Sequence, residues 1–109
     1  MQNGIIVPTQ KPIQEITPTI DTTVINSGAT IKCVKCGNVA QVFFYGVTFK
    51  SNGSFYNVIT GIPKAKIQGN IYFSNNDNGW ISDDHGGVNV NISDYSSPHW
   101  GGITYICAD

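Results

Sequence analysis

One stretch, Thr30 to Lys50 (TIKCVKCGNVAQVFFYGVTFK), limits what this chain can become. It is the densest run of apolar and β-branched side chains in the sequence, and Gly37-Asn38 places turn chemistry in its middle. β-Branched and aromatic side chains lose rotamer freedom against a helical turn but fit a pleated surface. The stretch therefore reads as one strand, a tight reversal near Lys35 to Asn38, and a longer strand from Val39 to Phe49. In the longer strand Val39, Phe43, Tyr45, Val47 and Phe49 share one face with Gln41, and Ala40, Val42, Phe44, Gly46 and Thr48 share the other. Both faces are largely apolar between positions 42 and 47, more than one water-facing side allows. The expectation is a central sandwich strand, packed on a core on one side and on a second layer or another subunit on the other.

Turn residues punctuate the rest of the chain. Pro8, Pro12 and Pro18 rule out a helix near the start, so residues 1–22 read as an extended arm or linker that docks along something else. Thr22 to Ile25 reads as a first short strand and Asn26-Ser27-Gly28 as a turn, with residues 23–109 forming the folded domain. Asn52-Gly53 has the composition of a two-residue hairpin loop joining the long strand to Phe55–Thr60. Pro63 breaks the next ladder, and Ala65 to Phe73 resumes as a strand bent at Gly69. Trp80-Ile81 starts a further strand between the polar runs Ser74–Gly79 and Asp83–Gly87. Val88, Val90 and Ile92 alternate cleanly with Asn89 and Asn91. The last strand starts at Trp100 or Ile103 and runs to Cys107, which ties the C-terminal residues into a sheet. About seven or eight short strands at even spacing predict an all-β fold, an antiparallel β-sandwich of jelly-roll-like type.

Composition narrows the function classes. A chain of 109 residues makes one domain, near the size at which oligomerisation adds useful burial. Arginine is absent, the six lysines are scattered singly, and the net charge is −1. That leaves no electrostatic footprint for nucleic acid. No apolar run approaches membrane length, and no basic start leads into an apolar segment, so membrane insertion is not expected either. Three cysteines do not suggest a disulfide-stapled scaffold.

Cys33-Val-Lys-Cys36-Gly37 has the spacing that lets two thiolates share a tetrahedral zinc ion. A zinc ribbon repeats such a pair, and here the other ligands would be the single residues His85, His99 and Cys107. The competing reading places Cys33 inside a strand and Cys36 beside its turn, and it needs neither metal nor cofactor. Asp83-Asp84-His85 offers two carboxylates and an imidazole, but adjacent strand residues point apart, so the run reads as a solvated turn. No nucleophile elbow, His-Glu-x-x-His pair or phosphate-cradling loop is present, and catalysis is not expected. Carbohydrate recognition needs less: an exposed aromatic for the apolar face of a sugar, and amides or carboxylates for its hydroxyls. Two neighbourhoods have that composition. Trp80 follows Asp77 and Asn78, and Trp100 stands beside His99 with Tyr95 a few residues upstream. These six residues are the candidate ligand contacts.

The run Ile31-Lys32-Cys33-Val34-Lys35-Cys36-Gly37-Asn38-Val39, the turn Gly61-Ile62-Pro63-Lys64 and the closing Gly102-Ile103-Thr104-Tyr105-Ile106 resemble the C-terminal domains of tail and baseplate proteins from phages of Gram-positive bacteria. The resemblance spans Ala29 to the end of the chain. It implies a jelly-roll or related β-sandwich head at the virion tail tip, assembled as a homotrimer and binding a host cell-wall saccharide or another surface receptor. Cys36 departs from the pattern, since an apolar residue such as valine is more usual before that glycine. Two other functions remain open on these residues: a purely structural tail module, and a small zinc-stabilised binding domain.

Overall fold

In the computed structural model, which describes residues 12–108, the Thr30 to Lys50 stretch forms a hairpin. β3 (Thr30–Cys36) and β4 (Val39–Val47) pair antiparallel about Gly37, whose φ of 61° suits a residue without a Cβ. β9 (His99–Ile106) pairs with the other edge of β4, and β1 (Gln14–Ile16) with the outer edge of β3. The resulting four-stranded sheet has the order β1-β3-β4-β9, so β4 is an interior strand as expected. β2 (Thr19–Ile20), β5 (Gly53–Thr60), β6 (Gly69–Tyr72), β7 (Asn78–Ile81) and β8 (Gly87–Ile92) form a second antiparallel sheet, in the order β2-β5-β8-β7-β6. The two sheets pack as a sandwich around one continuous core. The all-β antiparallel sandwich is therefore the fold. No helix among the described residues is long and apolar enough to cross a membrane.

The described residues form nine strands, and the two not foreseen come from the expected arm. β1 adds to β3 and β2 adds to β5, so residues 14–20 supply one edge strand to each sheet. Pro18 lies between them, in the crossover, where no ladder needs its missing N–H. The part of the arm before Pro12 lies outside the described residues. Thr22 to Ile25 is a turn instead of a strand. The Asp21 carboxylate accepts from the backbone N and the Oγ1 of Thr23, the amides of Val24 and Ile25 bond to Asp21 O, and only Ile25 makes a β-bridge, to Phe49.

Alternation along β4 holds from Val39 to Tyr45 and then breaks. Ala40, Val42 and Phe44 face the core, while Val39, Gln41, Phe43 and Tyr45 face out. At Gly46, φ is 62° and the β4–β9 register slips by one residue between Phe44 and Val47. One extra residue reverses the parity of everything after it. Val47 and Phe49 thus turn into the core, at 1% and 0% exposure. The strand that looked apolar on both faces resolves into a long core face and an outer face of Val39, Phe43 and Tyr45 with Gln41 among them. Glycine is needed at 46 for a second reason. A Cβ there would lie 2.9 Å from the Trp100 indole.

The same bulge explains why Asn52-Gly53 makes no hairpin. Both edges of β4 are occupied, by β3 and β9, and burial of Val47 and Phe49 carries the chain over the edge of the core. The crossing is anchored by Phe49 N to Tyr95 O, Lys50 N to Val24 O, and Tyr95 N to Asn52 Oδ1. β5 then begins in the opposite sheet, paired with β2 and β8. A second bulge, at Asn57 (φ 55°), lets Val58 and Ile59 both face the core. Of the strand expected from Ala65 to Phe73, only β6 is regular, and Ala65 makes a single bridge to Cys107. The residues around that bridge protect the outer edge of β9. Lys66 N bonds to Ile106 O, Ala108 N to Lys64 O and Ser74 N to Trp100 O.

Candidate functional site

The outer face of the five-stranded sheet follows from the pleat. Val88, Val90 and Ile92 of β8 point inward, so Asn89 and Asn91 point out. Strand register extends each of them into a row. Asn91 lies between Ser54 of β5 and Asn78 of β7, and Asn78 pairs with Tyr72 of β6. In the adjacent row Asn89 pairs with Trp80, and Trp80 with Asn70. The first row is linked by hydrogen bonds. Ser54 Oγ donates to Asn91 Oδ1 at 2.7 Å, and Asn91 Nδ2 donates to Asn78 Oδ1 at 3.0 Å. These bonds orient the carboxamides and leave Asn78 Nδ2 without an intramolecular acceptor among the described residues.

Over these rows lies an open concavity of about 370 Å³, lined by Gln68, Asn70, Tyr72, Asn78, Gly79, Trp80 and Asn91. None of these side chains is charged. Tyr72 is 74% exposed, and Trp80 is half-buried with the exposed Tyr56 ring edge-on to it at 5.9 Å. Trp80 and Asn78, expected from sequence, are thus brought together. Asn70, Tyr72, Asn91, Gln68 and Tyr56 were missed. A signal for some of them existed. Asparagine is unfavourable in strands, yet Asn89 and Asn91 fill the polar positions of an otherwise clean alternation, and Asn70 stands two residues before Tyr72. Aligning them required the β6-β7-β8 pairing, which the sequence does not display.

Asp77 and His99 sit elsewhere, at 3% and 0% exposure. The Asp77 carboxylate accepts from Ser93 Oγ (2.5 Å), Ser93 N (2.9 Å), Asp94 N (3.2 Å), Asn75 Nδ2 (3.0 Å) and His99 Nε2 (2.7 Å). Burial pushes this carboxyl up, but the hydrogen bonds from Ser93, His99 and Asp94 outweigh it and hold the group well below the usual carboxylate range. The other imidazole nitrogen, Nδ1, lies 2.8 Å from Val47 O. Asn75 Nδ2 also lies 3.0 Å from His99 Nε2, so the imidazole, the carboxylate and the carboxamide form one buried polar cluster. Phe49 and Phe73 meet the ring edge-on at 4.8 and 5.3 Å. The pair ties the β6–β7 turn and the β8–β9 loop to the end of β4, and neither side chain reaches a surface where a ligand could contact it.

Trp100 and Tyr95 complete the six. Trp100, 50% exposed, lies on the outer face of the four-stranded sheet, over Gly46 and edge-on to Tyr45 at 6.2 Å. Phe43 stacks at a tilt on Tyr45 at 4.8 Å, and Lys32 Nζ lies 5.7 Å from the Tyr45 ring centre. The two tryptophans therefore stand on opposite faces of the sandwich. Tyr95 is in the β8–β9 loop, 44% exposed, with its backbone fixed by Phe49 and Asn52.

The cysteine pair is divided by the pleat. Cys33 faces the core and Cys36, three residues along the same strand, is exposed on the other side. Burial pushes the Cys33 thiol up to about 11, away from the thiolate that zinc requires. On this strand the two sulfur atoms point to opposite faces of the sheet. Among the described residues no group of three or more His, Cys, Asp or Glu side chains could hold a metal ion.

No family model matches the chain, and no curated protein or solved structure matches it. The resemblance to tail and baseplate domains is carried by sequence motifs alone.

Proposed function

We propose that this chain is a non-catalytic saccharide-binding β-sandwich whose ligand lies on the outer face of the five-stranded sheet. One observation carries the reading: an uncharged concavity with Tyr72 exposed and Trp80 half-buried beside Asn70, Asn78 and Asn91. A carboxamide offers a donor and an acceptor side by side, the combination a sugar hydroxyl needs. An indole or phenol ring covers the C–H face of a pyranose. Oriented carboxamides lower the entropy lost when a ligand binds. In the setting that the motifs resemble, the ligand is a host cell-wall saccharide and the module stands at a virion tail tip. A glycan array tests this, with Trp80→Ala expected to weaken binding at least tenfold, about 1.4 kcal/mol or more. Trp100→Ala should leave binding intact. No bound glycan on the array would leave a structural tail module as the reading.

Assembly as a homotrimer belongs to the same proposal, with the contact on the outer face of the four-stranded sheet. Val39, Tyr45, Trp100 and Ile106 are 38–50% exposed there, as two pairs, Val39 with Ile106 at one end of the β4–β9 ladder and Tyr45 with Trp100 at the other. Light scattering at micromolar concentration should give three times the chain mass, reduced to one by Tyr45→Lys with Trp100→Lys. A wild-type monomer would remove the trimer from the proposal without touching the saccharide surface.

A further inference from the structure

Beside the carboxamide concavity a second hollow of about 350 Å³ opens, lined by Tyr56, Asn57, Ser82, Asp83, His85 and Asn89. Two contacts join it to the first. Tyr56, on its wall, meets Trp80 of the first concavity at 5.9 Å with the rings perpendicular. The backbone N of Gln68, another residue of the first concavity, donates to Asp83 Oδ1. The register agrees, because Asn89 of the second hollow pairs directly with Trp80 on the same face of the sheet.

The second hollow is held in shape by its own polar groups. Asn57, at a φ of 55° that side chains other than glycine seldom adopt, donates its amide to Asn89 Oδ1 at 2.9 Å. Asn57 Oδ1 lies 2.6 Å from His85 Nε2, which directs the imidazole across the opening. Asn89, only 4% exposed, also reaches Ser82 Oγ at 3.5 Å. The chemistry differs from that of the first concavity in one respect. Asp83 is a carboxylate, and its Oδ2 has no hydrogen-bond partner and no ion pair among the described residues.

We propose that the two hollows are one extended groove that takes an oligosaccharide of about three rings, with a ring in each hollow and one on Trp80 between them. The ring in the second hollow carries a protonated amine, which pairs with Asp83. This inference rests on the saccharide reading and adds to it the length and charge of the ligand. An exposed carboxylate attracts a cation weakly when it is fully solvated. Asp83 is exposed, so the pairing contributes modestly and adds to the contacts that Tyr56 and His85 make with the same ring.

The test uses the 109-residue chain on an array of neutral, N-acetylated, free-amine and uronic-acid oligosaccharides of about one to six rings. The strongest binding is expected from free-amine chains of three rings or more. Asp83→Asn should bring those chains down about tenfold, to the level of their N-acetylated counterparts, with neutral chains unaffected. Tyr56→Ala should weaken the longer chains and spare the shorter ones. Both variants replace exposed side chains, and unchanged thermal melts would show that they fold. Binding that saturates at one or two rings, a preference for neutral or acidic chains, or an amine preference that survives Asp83→Asn would overturn the extended groove and leave the saccharide reading standing. Absence of any wild-type signal would remove both.

Discussion

Replacing Asp77 by alanine is expected to destabilise the domain by about 3–5 kcal/mol, because it leaves several part-buried donors and the buried His99 ring without their acceptor. For a domain of this size that corresponds to a fall in Tm on the order of 10–20 °C. The carboxylate collects hydrogen bonds from Asn75, Ser93, Asp94 and His99, so its loss frees two loops and the start of β9 together. The effect has a definite pH dependence. The folded-state carboxyl is held below its ordinary value, so the unfolded chain takes up the proton first as pH falls. The contribution of Asp77 is therefore fully present above the unfolded value and is lost as pH drops below about 4, toward the lower folded value. Urea titrations of the wild type and Asp77→Asn between pH 3 and 7 measure it. The wild type should lose stability on acidification more steeply than the variant, and parallel curves would show that the pair does not hold the loops.

Deleting Tyr105 to Asp109 should leave the chain unable to fold at ambient temperature. Tyr105 and Cys107 are 6% and 0% exposed, and the Tyr105 hydroxyl donates to Pro63 O at 2.8 Å. Cys107 N bonds to Asn38 O, Lys66 N to Ile106 O and Ala108 N to Lys64 O. These few residues therefore close the β3–β4 turn, the strand end and the Pro63–Lys66 segment at once. Two buried side chains at about 1.5–3 kcal/mol each, with several hydrogen bonds at about 1 kcal/mol each, add up to most of the 5–15 kcal/mol by which such a domain is stable. Circular dichroism and limited proteolysis of the truncated chain would show loss of the sheet signal and rapid cleavage. A cooperative melt near the wild-type temperature would mean that β9 is dispensable, and with it the interior position of β4.

Several features were legible because their cause is local. Gly37-Asn38 turned β3 into β4, the alternation of Val88 to Ile92 set the two faces of β8, and Ile103 to Cys107 closed the first sheet. That Trp80 and Asn78 lie side by side was legible for the same reason, since two strand residues separated by one share a face. Other features were not. Asn52-Gly53 has hairpin chemistry, but a hairpin also needs a free edge on β4, and β9 occupies it from far along the chain. Gly46 gave no sign in the sequence of being a bulge instead of an ordinary strand glycine. Asp77 and His99 looked like loop residues beside tryptophans, and their pairing, with the donors of Ser93, Asp94 and Asn75 and the carbonyl of Val47, makes their burial tolerable.

By itself, the sequence determined the class of fold and, away from the bulges, the alternation of positions along strands such as β8 and the first part of β4. Both follow from side-chain chemistry acting over a few residues, through β propensity, period-two alternation and turn residues. Tertiary structure alone decided which strands are neighbours, where parity reverses, and which polar residues share a surface. Those outcomes depend on contacts between distant segments, as in the bond from Asn91 to Asn78 or the pairing of β1 with β3. The outer face of the five-stranded sheet therefore becomes a candidate site only after β6, β7, β8 and β5 are laid side by side.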